Sequence, residues 1–181
     1  LYENMDIKSK FIQYVPLGAQ LSIINIKDKW AFVSLSEKND KLAYIKSDDI
    51  VAFDHVTNDW VSIAELCVST PYKWGGRDTI GIDCSALLQL SYQTYGEIIP
   101  RNTSEQVKLK KTTLKKVENL KRGCVVFWEG HVGIMTDKIN CIHANAFHMK
   151  TVTEPLVNII NRLDKNNKII KIMDFNEDVR L

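Results

Sequence analysis

The run Thr70-Pro71-Tyr72-Lys73-Trp74-Gly75-Gly76-Arg77-Asp78-Thr79-Ile80-Gly81-Ile82-Asp83-Cys84-Ser85-Ala86-Leu87-Leu88-Gln89 constrains this chain most. Aromatic residues and the paired glycines come first, then a cysteine between two small polar residues. An apolar run with helical spacing follows: Ala86, Leu87, Leu88, Leu90 and Tyr92. A chain written this way brings a loop to a helix N-terminus and sets a thiol there. At that position unsatisfied N–H groups and the positive end of the helix dipole favour a thiolate, the form that attacks carbonyls. A cysteine serving only as a small buried hydrophobe would need no chemical partners elsewhere in the chain.

Partners are present downstream. Gly123-Cys124-Val125-Val126-Phe127-Trp128-Glu129-Gly130-His131-Val132-Gly133-Ile134-Met135 and Asn140-Cys141-Ile142-His143-Ala144-Asn145-Ala146 are apolar, β-rich runs, each carrying a histidine. Adjacent antiparallel strands would hold the two imidazoles side by side. One imidazole close to Cys84 would take its proton, and a second group on its far nitrogen would fix its tautomer.

These residues carry a resemblance. From Thr70 to about Leu163 the chain is similar to the catalytic domain of the NlpC/p60 papain-like cysteine peptidases of bacterial cell-wall metabolism. The motifs are Pro-Tyr-x-Trp-Gly-Gly, Gly-x-Asp-Cys-Ser, Pro100-Arg101-Asn102-Thr103-Ser104-Glu105-Gln106, His131-Val132-Gly133-Ile134 and Ile142-His143-Ala144. The resemblance implies Cys84 as nucleophile, His131 as general base and later acid, and His143 as the group orienting His131, with Asn145 or His148 as alternatives. It also implies the Cys84 N–H and the Tyr72 phenol as oxyanion donors. In the branch of the family with an N-terminal SH3-type domain, the positions of Asp83, Ser85, Thr103 and Tyr44 bind substrate. The first three hold the free α-amino group of a murein peptide beginning L-Ala-γ-D-Glu, and Tyr44 closes the pocket; Glu3 is a further acidic candidate. Asp83 and Thr103 have a plainer alternative as helix caps, and Tyr72 one as core packing. Two departures stand out: Ala86 where the family has glycine, and Cys124 where it has aspartate. The first is benign in a helix; the second removes a charge from a strand start.

The first fifty residues read as short strands with turn punctuation: Phe11–Val15, Leu21–Ile26, a charged turn at Lys27-Asp28-Lys29, Trp30–Leu35, a polar turn from Glu37 to Lys41, and Leu42–Ile45. Such spacing predicts a small barrel, and the pattern resembles bacterial SH3-type domains. The expected fold class is therefore α+β, a papain-like NlpC-type catalytic domain (53–181) preceded by an SH3-like barrel (1–52). The connection 51–58 lacks Gly, Pro and Ser, which predicts docked rather than tethered domains. Helices are expected over Asp59–Cys67, with Asp59 capping, from Asp83 to before Gly96, over Ser104–Lys110 and from Pro155, with a terminal strand over Lys168–Asp174.

With 45% apolar residues and a formal charge of +2, nothing points to nucleic acid. Apolar runs fall short of a transmembrane helix. Lys110-Lys111, Lys115-Lys116 and Lys121-Arg122 form a basic strip, expected as solvated surface, with an acidic ligand as the alternative. Four scattered cysteines do not make a disulfide scaffold, and Cys67, Cys124 and Cys141 read as buried inert thiols. No CxxC or zinc spacing exists, so neither metal nor cofactor is expected. Leu1 stands where a methionine would open a chain, consistent with a preceding signal peptide or strand. Compartment and oligomeric state stay open, with cytoplasmic recycling of murein peptides favoured over a secreted or periplasmic role. The expected activity is hydrolysis of the γ-D-Glu to diamino acid amide bond. The alternatives are an amidase or acyltransferase on the same scaffold, or a catalytically silent murein-binding module.

Overall fold

Asp28 and Lys29 both adopt positive φ, 51° and 64°, as a two-residue hairpin turn requires when its twist matches that of the flanking strands. In the computed structural model, which describes residues 1–38, 40–163 and 168–176, this turn joins β1 (Ile23–Lys27) to β2 (Trp30–Ser34). Strand β3 (Leu42–Lys46) pairs antiparallel on the far side of β2. The polar turn expected at 37–41 includes residue 39, which lies outside the described residues. Leu1, Val33 and Ala43 form the buried centre of this unit, flanked by Val15, Leu21, Ile23, Leu35 and Ile45.

Among the described residues the sheet of this unit is an open three-stranded meander, not the expected closed barrel. The segment 11–15 was expected as a strand of that barrel, but its pairing goes to the N-terminal residues instead. Phe11 bridges Tyr2, and the Ile12 N–H donates to the Leu1 carbonyl at 2.9 Å. Tyr2 in turn bridges Tyr44. The outer face of β1 stays open, with Ile24 and Ile26 exposed.

The chain divides into units Leu1–His55 and Val56–Leu181, three residues beyond the boundary expected from sequence. The second unit is built on a six-stranded sheet in the order β10-β9-β8-β7-β11-β6. Its strands are β6 (Thr112–Thr113), β7 (Cys124–Trp128), β8 (His131–Met135), β9 (Asn140–Asn145), β10 (Lys150–Pro155) and β11 (Lys171–Asp174). A separate two-stranded ribbon, β4 (Arg77–Asp78) with β5 (Gly81–Ile82), precedes the central helix. Strands buried on both faces read as continuous apolar runs, and every residue of β7 is buried. Cys124, Val126, Trp128, Met135 and Cys141 share one face with Leu156 and Ile159 of α4 (Leu156–Arg162). The opposite face is covered by α2 (Cys84–Gln93), which packs on β8 and β9 and is buried along nearly its whole length.

Helix α1 (Val61–Leu66) starts two residues after Asp59. The Asp59 carboxylate accepts from Arg122 at 2.7 and 2.9 Å and also faces the Val61 and Ser62 N–H groups that open the helix. Trp60, fully buried, stands edge-on to Tyr92 at 5.2 Å and fastens α1 to α2. Helix α3 (Thr103–Gln106) is a single turn. The basic strip is partly consumed internally, since Lys111 pairs with Glu97, Lys121 with Asp174, and Arg122 with Asp59 and Glu65. Among the described residues no helix is long and apolar enough to cross a membrane.

Candidate active site

The loop that delivers Cys84 is set by a glycine. A side chain at Gly76 would collide with the Gly81 carbonyl, so only glycine allows the close approach that lets the Asp83 N–H donate to the Gly76 carbonyl at 3.2 Å. Asp83 is then the N-cap of α2, its Oδ1 accepting the Ala86 N–H at 2.8 Å. Its Oδ2 accepts the Gly75 N–H at 2.9 Å. Arg101 grips both oxygens, Nη1 to Oδ1 at 2.9 Å and Nη2 to Oδ2 at 2.7 Å. Ser85 Oγ donates to Asp83 Oδ1 at 3.1 Å and accepts from Arg101 Nη1 at 2.8 Å. Burial alone would raise the Asp83 pKa, but Arg101 and the Ala86 and Gly75 N–H groups hold it below the usual carboxylate range.

This cluster joins Asp83 and Ser85, the two residues that the resemblance places in the amine pocket, through Arg101, and both line the cleft beside Cys84. Two carboxylate oxygens offer about four acceptor sites, and five donors already occupy those of Asp83. It caps α2, and its charge lies at the cleft wall. Arg101 falls within the Pro100–Gln106 motif, where the sequence alone assigns it no task. Its signal was an arginine beside a buried acid, which needs a cation when taken out of water.

Cys84, the first residue of α2, is 6% exposed and lines a cleft of about 460 Å³ with Trp74, Asp83, Ser85, Arg101, Thr103 and Gly130. As the first helical residue it carries an N–H without an intrahelical acceptor. Its thiol does not follow the expected depression: burial pushes it up. The N–H of Val132, the Thr103 hydroxyl and the N–H of Ser85 oppose that rise, while the Asp83 charge adds to it. Val132 directly follows His131, so this contact brings the helix N-terminus to the start of β8.

His131, at the start of β8, and His143, on the neighbouring β9, meet through Nε2 and Nδ1 at 2.8 Å. Alternation places them on one face of the sheet, and the absence of a side chain at Gly133 leaves room between Cys141 and His143. Trp128 lies against the His131 ring, centroids 5.7 Å apart. Burial, then the neighbouring His143 and Arg162, lower the His131 pKa to about 3, so its resting form is neutral. His143 is also lowered, chiefly by burial, against the pull of Glu154.

Behind His143 stands Glu154 of β10, which the sequence reading missed. Val152 is the register partner of His143, so Glu154, two residues on, shares its face. Glu154 Oε1 lies 3.0 Å from His143 Nε2 and 3.2 Å from His148 Nε2, and Arg162 of α4 holds both carboxylate oxygens. Burial would raise its pKa, but Arg162 and His143 bring it down to about 2. Of the alternatives to His143, Asn145 and His148 both lie in the layer behind it: Asn145 Nδ2 is 3.2 Å from His143 Nε2.

Tyr72 is raised by burial and by the charges of Cys84 and Asp83, so its phenol stays protonated within reach of their field. Tyr44 stands in β3 of the first unit with its ring against Phe32, centroids 5.0 Å apart. Cys67, Cys124 and Cys141 are buried free thiols. Among the described residues no cluster of His, Cys, Asp or Glu is arranged to hold a metal.

The second unit is a mixed α/β fold that sets a cysteine at a helix N-terminus and a histidine pair on neighbouring strands. Residues 69–163, more than half of the chain, match the NlpC/P60 family model, and the chain belongs to that family, whose members are peptidoglycan hydrolases and peptidases. It is 34% identical over 87 residues to Dipeptidyl-peptidase 6 of Lysinibacillus sphaericus, covering 47% of this chain and 31% of that one. It is 33% identical over 105 residues to the Probable endopeptidase NlpC homolog of Haemophilus influenzae, covering 56% and 52%. It is 24% identical over 128 residues to the Gamma-D-glutamyl-L-lysine dipeptidyl-peptidase of Bacillus subtilis, covering 62% and 43%. The chain thus spans about half or less of the length of these curated relatives. The crystal structure of an NlpC/P60 family protein from Bacillus cereus superposes with a TM-score of 0.78 at 21% identity, over 97% of this chain and 60% of that one. At that identity the likeness speaks for the fold alone.

Proposed function

We propose that this protein is a cysteine peptidase that hydrolyses the amide between γ-D-Glu and the following diamino acid in short murein peptides with a free N-terminal L-Ala. The observation that carries it is the convergence of Cys84, at the start of α2 and lining the cleft, with the His131–His143 pair, reached through the Val132 contact. His131, neutral at rest, takes the thiol proton as Cys84 Sγ bonds to the carbonyl carbon. The Cys84 N–H and the Tyr72 phenol receive the oxyanion. Collapse breaks the C–N bond, His131 returns the proton to the leaving amine, and water then cleaves the acyl-enzyme with His131 again as base.

Support for the substrate class comes from two relatives that bear the name dipeptidyl-peptidase, one of them for a γ-D-glutamyl-L-lysine bond. An enzyme releasing a dipeptide reads the peptide's free end. Mass spectrometry of a digest of L-Ala-γ-D-Glu-L-lysine should show L-Ala-γ-D-Glu and free lysine, and Cys84→Ala should show neither. Acetylating the substrate amine should lower kcat/KM by about 10- to 100-fold, the cost of one lost charged hydrogen bond. Equal cutting of blocked and free peptides would reject the dipeptidyl reading, and transfer of the acyl group to an added amine without hydrolysis would reassign the chain as an acyltransferase.

A further inference from the structure

The two histidines admit two mutually exclusive proton arrangements. His131 Nε2 and His143 Nδ1 share one hydrogen bond, so between two neutral rings only one of these nitrogens carries the proton. If His143 is protonated on Nε2, its Nδ1 accepts from His131 Nε2–H, and His131 Nδ1 is a bare lone pair able to take the thiol proton. If His143 is protonated on Nδ1, His131 must carry its proton on Nδ1, and the base is blocked.

Two groups address His143 Nε2 and favour opposite arrangements. Glu154 Oε1, at 3.0 Å, accepts only, and so requires a proton on Nε2. Asn145 Nδ2, at 3.2 Å, donates, and so requires a bare Nε2. The Asn145 amide cannot turn its oxygen inward cheaply, because Oδ1 already accepts the His148 N–H at 2.8 Å. We propose that Glu154 is a positioning residue that decides this contest, setting the protonated nitrogen of His143 and, through it, of His131.

The decision rests on charge. A hydrogen bond to an ionised acceptor is about twice as strong as a neutral one. Glu154 is kept ionised by Arg162 from α4, which contacts both oxygens, while His148 from the turn before β10 contacts Oε1. Arg162 is held in turn over the Phe147 ring, 4.3 Å from its centroid. A carboxylate that touches neither nucleophile nor substrate thus acts through two imidazoles in series. This inference rests on the peptidase reading for its effect on turnover but not for its effect on the protons.

The test is a long-range ¹H–¹⁵N spectrum of the whole chain with ¹⁵N-labelled histidine, at neutral pH, beside steady-state kinetics on L-Ala-γ-D-Glu-L-lysine. The expected wild-type spectrum has both His131 and His143 as Nε2–H tautomers. Glu154→Gln should move part of both populations to Nδ1–H and lower kcat by about 10- to 100-fold, with KM within about twofold. A wild-type spectrum with His143 protonated on Nδ1 overturns the proposal, whether or not the variant folds. So does a variant that loses turnover while both tautomers stay as in wild type, since that marks a purely structural role. If wild type cuts no murein peptide, the peptidase reading fails separately. The spectrum still tests Glu154, and a Cys84 alkylation rate by iodoacetamide about tenfold slower in Glu154→Gln replaces kcat as the expected supporting result.

Discussion

Asp83 and Glu154 are each gripped through both oxygens by an arginine, Arg101 and Arg162, the first in the wall of the Cys84 cleft and the second beside the histidine pair. Their other partners differ in kind. Those of Asp83 are two backbone N–H groups and a hydroxyl, none of which changes protonation in the working range. Those of Glu154 are imidazoles of His143 and His148. The first network therefore fixes where the helix N-terminus and its loop lie. The second fixes which nitrogen carries a proton, and can be altered without moving an atom far. The same buried ion pair serves geometry in one place and proton state in the other, according to whether titratable groups stand between it and the nucleophile.

Breaking the histidine side should have the largest effect on turnover and a small one on the fold. His131→Ala is expected to lower kcat by at least about 10³-fold, as removal of a triad member does, with a melting temperature close to wild type. A variant turning over within tenfold of wild type would remove His131 from the base position.

Breaking the clamp should reverse that balance. Arg101→Met leaves Asp83 buried without its cation, a change costing about 2 to 4 kcal/mol for a pair that retains some solvent contact. Urea unfolding should show this loss, and Arg101→Lys should recover part of it, since an ammonium supplies charge without the bidentate fork. Kinetics of the folded fraction should fall far less than in His131→Ala. An Arg101→Met protein as stable as wild type would mean that the backbone N–H groups and Ser85 suffice to hold Asp83.

The contrast also explains what the sequence disclosed. The placement of Cys84 at a helix start and of His131 beside His143 was legible because it depends on local context: paired glycines before the helix, and histidines on two consecutive β-runs whose short connection makes them neighbours. The helices from Asp83 and Pro155 and strands β2 and β3 followed from periodicity and punctuation to within a residue or two. Glu154 was hidden, because its link to His143 depends on the register of β9 against β10, and a slip of one residue would turn it to the other face. Arg101 was visible but unassigned, since a loop arginine gives no sign of which buried acid it will meet. For the Cys84 thiol, the helix N-terminus could be read from sequence, whereas the depth of burial that pushes it up could not. For residues 1–52 alternation at 11–15 predicts a strand of the sheet, but its pairing partners are Leu1 and Tyr2, and only through Tyr2 does it reach β3.

The smallest effect, and the one that separates the two networks by pH, is acid destabilisation. His131 is a base whose folded pKa, about 3, lies below the ordinary 6.5, so the unfolded chain binds the extra proton between these values. Stability is full above about pH 6.5 and falls with a slope of up to about 1.4 kcal/mol per pH unit on the way down. Glu154, held at about 2 against an ordinary 4.5, contributes stability that is full above 4.5 and lost only as pH drops toward 2; Asp83, also depressed, follows the same sign from its ordinary 3.8. Between pH 6.5 and 4.5 the loss therefore belongs to the histidine side. Urea titrations should show wild type losing about 1 to 2 kcal/mol over that interval, the lower part of the range allowing for the solvent contact that His131 keeps. His131→Gln should reduce the slope over the interval, leaving the smaller share that His143, also lowered, contributes, whereas Arg101→Met should leave the slope intact and weaken the further fall below pH 4. A wild-type stability that stays level from pH 6.5 to 4.5 would show that His131 protonates in the folded state, and that the two networks do not divide the pH axis as their partners predict.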